Sequence, residues 1–122
     1  MNLELTILSN LVYNERYARK VLPFLKAEYF TDKSHKIIFL EIHEYISQYD
    51  SLPSLNALSI ECQERVDLTD EQFKTILEIL NVLSDDTSDY DWIVDTTEKW
   101  CQERAIYLSL MESVKIADGQ DS

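Results

Sequence analysis

The chain has 122 residues and a formal charge of −12, from 23 acidic and 11 basic side chains, and 45% of it is hydrophobic. That length suits one domain able to bury its own core, and the hydrophobic share excludes a disordered chain. The only glycine, Gly119, excludes a phosphate-binding loop and a dinucleotide fingerprint, each of which needs several glycines at fixed spacing.

The same scarcity, with Pro23 and Pro53 as the only prolines, leaves too few turn residues for hairpins and predicts an all-α fold. Six helical segments follow in order. The first runs from about Leu3 to Tyr13, with Leu5, Leu8 and Val12 on one face and Asn14 closing it. A short second covers about Glu15 to Leu22 and stops at Pro23. Tyr29 and Phe30 form an aromatic plug in the connection that follows.

The third helix runs from about Ser34 to Tyr49. Its stripe of Ile38, Phe39, Ile42, Tyr45, Ile46 and Tyr49 reads as core packing. A turn at residues 50–54 puts Ser54 at the N-cap of a fourth helix, about Leu55 to Arg65. Thr69 with Gln72 is a capping-box signal for a fifth, reaching about Leu83. After a polar loop, a long sixth helix runs from about Asp89 to Ala117.

The short loop predicts that the last two helices pair as an antiparallel hairpin. The expected layout is one domain over 1–122, with a head over about 1–66 and a hairpin over about 69–118. The sixth helix is apolar at several angular phases, more than one partner helix covers. That excess predicts packing on a second side, against the rest of the domain or against another subunit or partner, and such an interface is placed at Phe73, Ile76, Leu80, Leu83, Trp92, Trp100, Leu108 and Met111.

Charge is uneven along the chain. Residues 1–60 hold 7 acidic and 6 basic side chains, and residues 61–122 hold 16 and 5. The second half would repel a phosphate backbone, so no direct nucleic-acid contact is expected, and a basic protein suits it better. Glu4 interrupts the N-terminal apolar run, so no signal peptide is read, and no segment is apolar over the roughly 18 residues a membrane span needs. The location expected is the cytoplasm, that of an infected bacterial host if the chain is phage-encoded. Cys62 and Cys101 read as small buried hydrophobes of a reducing compartment.

No catalytic residue, cofactor or metal is expected. His35 and His43 lack the i, i+4 spacing of a helical metal pair; His35 reads as a helix-start residue with a local hydrogen bond and His43 as a surface residue. The run Asp85, Asp86, Asp89, Asp91 fails the calcium-loop pattern, since Tyr90 and Thr96 stand where glycine and glutamate are required.

Leu3 to Asn14 is an apolar helix ending in asparagine. Glu28-Tyr29-Phe30 is followed by His35 and Ile37-Ile38-Phe39, and Glu103-Arg104-Ala105 lies in the long helix. On these segments the chain resembles the N-terminal domain of DnaB-type hexameric replicative helicases. Leu52 to Leu58 resembles the branch of T-even-type phage primase-helicases. The resemblance implies a helical head with a hairpin, association into dimers and a ring collar above ATP-binding motor domains. It also implies docking of primase, with a helicase loader as a further partner. The family's motor is absent from this sequence, so the domain itself is expected to be an assembly module of phage-type DNA replication and not an enzyme. Two rival readings rest on composition: an acidic inhibitor that mimics DNA toward a basic protein, and a plain helical adaptor.

Overall fold

The computed structural model describes residues 2–85 and 88–120, with side chains of the last helix described as far as residue 116. The described residues form six α-helices and two short 3-10 turns, with no strand among them. The fold class is all-α. Asp86 of the acidic run, and Asp121 and Ser122, lie outside the described residues.

The starts of the first five α-helices are each fixed by a side chain that answers an open backbone amide. Asn2 accepts from the Glu4 amide at 2.7 Å and opens α1, Leu3–Tyr13. Asn14 serves two helices: its amide closes α1 on the Asn10 carbonyl, and its side chain accepts from Tyr17 to open α2, Glu15–Val21. Two 3-10 turns follow, Leu22–Phe24 with Pro23 inside it, and Ala27–Tyr29.

Asp32 caps α3, Lys33–Tyr49, by accepting from the Ser34 and His35 amides. Asp50 ends that helix in the left-handed region at φ 52°, ψ 35°, a place aspartate tolerates better than most residues. Ser54 opens α4, Leu55–Gln63, which stops earlier than the sequence predicts because the Arg65 amide turns back to Cys62 in a tighter bond. Both halves of the Thr69–Gln72 capping box are made at the start of α5, Asp70–Val82. Helix α6, Tyr90–Gln120, has 31 residues and is about 45 Å long at ~1.5 Å rise per residue.

One core joins all six helices. Ile7, Leu8 and Leu11 of α1, Tyr17 and Val21 of α2, Phe30, and Ile38 and Ile42 of α3 are fully buried in it. Leu58 of α4, Ile76 of α5 and Ile93 of α6 complete it. Helix α5 packs on α3 and α4, whereas α6 packs on α2 and the second 3-10 turn. Helix α5 has one apolar face, carried by Ile76 and Leu80, and both side chains are buried.

Candidate functional site

The first half of α6 is held down by four kinds of contact. Ile93, Val94 and Cys101 bury apolar surface. The hydroxyls of Tyr17 and Thr97 share a hydrogen bond of 2.7 Å in the dry space between α2 and α6. Trp100 stands edge-on to Phe30, ring centroids 5.1 Å apart, and to Tyr29 at 6.2 Å, a preferred aromatic geometry. Arg104 donates from Nε to the Tyr29 carbonyl at 2.6 Å, and its guanidinium lies over the Tyr107 ring at 5.0 Å.

Past Arg104 the helix loses this cover. Ile106 is 62% exposed and Leu110 61%, and Tyr107, Met111 and Val114 are also exposed. Steps of four residues place Ile106, Leu110 and Val114 in line, with Tyr107 and Met111 beside them, so the five make one apolar stripe. Leu108 and Met111 also line a groove of ≈ 490 Å³ against the second 3-10 turn, with Lys26 and Lys115 at its edges. A contiguous apolar stripe of this kind is unusual on the surface of a soluble domain that meets no partner.

The residues expected at an interface divide on burial. Ile76, Leu80 and Leu83 are buried in the chain's own core, at 0%, 3% and 6% exposure, so they offer no surface to a partner. They satisfy the same helical periodicity that a partner-facing stripe would have. Phe73, Trp100 and Leu108 are half-buried against the core, and Trp100 is fixed there by Tyr29 and Phe30. Trp92 and Met111 are exposed. Tyr107 and Leu110 were not among the expected positions; their signal was the four-residue repeat from Ile106 to Val114.

Polar groups in the head are structural. Glu4, buried near the start of α1, accepts from the Thr31 amide, the Thr31 hydroxyl at 2.7 Å and the His35 ring N–H at 2.8 Å. Burial pushes the Glu4 carboxyl up, but the hydrogen bonds from His35 and Thr31 outweigh it and hold the group below its ordinary value of 4.5. His35 makes the expected local hydrogen bond through its backbone amide to Asp32 and adds a long-range one from its ring to Glu4, while His43 is exposed beside Phe39. Cys62 and Cys101 are unpaired and buried, and burial pushes both thiols up to about 11, which leaves them unreactive.

The family comparison falls on this architecture. Residues 1–95, from the first helix into the anchored part of α6, match the model of the DnaB-like helicase N terminal domain. The chain belongs to that family. It is also 32% identical, over 110 residues, to a DnaB-like replicative helicase of Enterobacteria phage T4. That match takes in 90% of this chain and 23% of the phage protein, so the chain spans about a quarter of its relative's length. No helix among the described residues is long and apolar enough to cross a membrane.

Proposed function

We infer that this domain is the oligomerisation and primase-docking module of a replicative DNA helicase, acting without chemistry of its own. The observation that supports it is the exposed stripe of Ile106, Tyr107, Leu110, Met111 and Val114, on a helix anchored to a DnaB-like head. In this reading the stripes of two copies pair, the pairs arrange into a collar, and the collar holds primase beside the single strand that the motor releases. Unwinding and ATP hydrolysis belong to the remainder of a longer parent protein like the phage relative. A helicase loader is a further partner of the same collar.

Leu110 is the position to test, because its exposure separates assembly from folding. A carboxylate there desolvates badly in an apolar contact and costs the folded monomer little. Leu110→Asp is expected to lower the mass seen by sedimentation equilibrium to that of one chain, with the helical circular dichroism signal kept. A wild-type chain that is monomeric at high concentration, or a variant that keeps the wild-type mass, refutes the pairing. Retention of the replication system's primase on the immobilised domain tests the docking role separately.

A further inference from the structure

Tyr29, Phe30 and Thr31 form a short strap between the first helix and the last. At one end the buried Glu4 of α1 accepts from the Thr31 amide at 3.1 Å and from the Thr31 hydroxyl at 2.7 Å, and it also takes the His35 ring N–H at 2.8 Å. At the other end the Tyr29 carbonyl accepts from Arg104 at 2.6 Å, and the Tyr29 and Phe30 rings seat Trp100. The strap spans at most about 7 Å between its end Cα atoms. A shift at Thr31 is therefore passed to Tyr29 through two peptide links that cannot stretch.

Helix α6 is held to the head at two levels. The inner one is Thr97, bonded to Tyr17 of α2, with Ile93 and Cys101 buried around it. The outer one is Trp100 and Arg104 against the strap. A rod held at two points takes its angle from both. Tyr17 stands within α2, which packs on α1. Behind the strap are only the bonds of a 3-10 turn, Tyr29 to Lys26 and Phe30 to Ala27. The inner hold thus acts as the pivot, and the strap decides the tilt. Arg104 lies about 10 Å beyond Thr97 along the axis. A strap shift of ~1 Å would turn α6 by about 6° and carry residue 113 sideways by about 2 Å.

We propose that Glu4 is a positioning residue for α6: through Thr31 and Tyr29, its carboxylate sets the angle at which the exposed half of that helix leaves the head. Phe30 packs on Phe39 and keeps the strap in the core. Ring packing tolerates sliding, however, whereas hydrogen bonds to a charged acceptor are short and directional. Glu4 holds Thr31 by both backbone and side chain, so it fixes where the strap ends. The device acts within one chain and operates whether or not the stripes on α6 pair.

Its test measures the angle. Spin labels are placed on Ser113→Cys of α6 and, in two separate proteins, on Ser47→Cys of α3 or Asn56→Cys of α4, and read by double electron–electron resonance. Labelled chains are diluted with unlabelled ones, so each distance lies within one chain; Cys62 and Cys101 are buried and take no label. Glu4→Gln keeps the side-chain shape and removes the charge. It is expected to shift at least one mean distance by about 2 Å, or to broaden that distribution by as much. Arg104→Leu should do the same, and the double variant no more than Arg104→Leu alone, because both act on one strap. Leu80→Ala removes core packing elsewhere and should lower stability without moving either distance. Unchanged distances in Glu4→Gln, an equal change in Leu80→Ala, or changes that add in the double variant overturn the proposal. If Glu4→Gln does not fold, Thr31→Val carries the test, since it removes one donor at an exposed position.

Discussion

Glu4 illustrates how one side chain ties distant segments together. Its carboxylate reaches from α1 to the Thr31 backbone and to His35 near the start of α3, and it does so almost out of water. Bonds to a charged acceptor in such a place are stronger than surface pairs, and losing the charge leaves donors unanswered. Glu4→Gln is expected to lower unfolding stability by about 1–3 kcal/mol near neutral pH, read by urea denaturation. Because the folded value of this group lies below 4.5, its contribution is complete above about that pH. It is lost as pH falls through the lower folded value. The gap between wild type and variant should therefore close on acidification; a gap that stays constant with pH would show that the charge is not what Glu4 supplies.

At the scale of single elements, what the sequence discloses depends on whether the cause is local. The Thr69–Gln72 box and the Ser54 cap were readable because each signal lies within a few residues of the amides it serves. Thr69→Ala is expected to cost about 1 kcal/mol, measured as a shift in the thermal midpoint, by exposing those amides at the head of α5. The limits of α1, the break at Pro23 and the burial of Tyr29 and Phe30 followed from similarly short-range patterns. The partner of α5 did not. Ile76 and Leu80 announce an apolar face but not what covers it, and α3 with α4 cover it here. The same ambiguity made Tyr49 look like core and left Tyr107 and Leu110 unnoticed. Leu80→Ala should accordingly lower stability by about 2–5 kcal/mol. That is the signature of a core position, and an effect on oligomer mass with stability unchanged would contradict the burial of Leu80.

For the whole molecule, the two halves of α6 have different roles. The half from Tyr90 to Arg104 is part of the head, through Ile93, Thr97, Trp100 and Cys101. The half beyond it is a projecting apolar helix, and the acidic character of residues 61–122 is spread over α5 and α6 around it. Like-charged surroundings oppose indiscriminate association, and in the pairing proposed above they leave the stripe as the place where copies gain most by meeting. The long-range polar links, Tyr17 to Thr97 and Arg104 to the Tyr29 carbonyl, lie 80 and 75 residues apart in the chain, so no local pattern in the sequence announces them.

The Arg104 bond to Tyr29 is the last polar fastening before α6 leaves the head. A helix clamped along its first half behaves as a lever over the rest of its length. A tilt of about ten degrees at Arg104 would carry residue 116, about 18 Å further along, sideways by about 3 Å. A displacement of that size is enough to move one row of side chains out of register with a neighbour. The bearing of any assembly built on the projecting half is thus set by the contacts of the first half, of which the Arg104 guanidinium makes the outermost polar one.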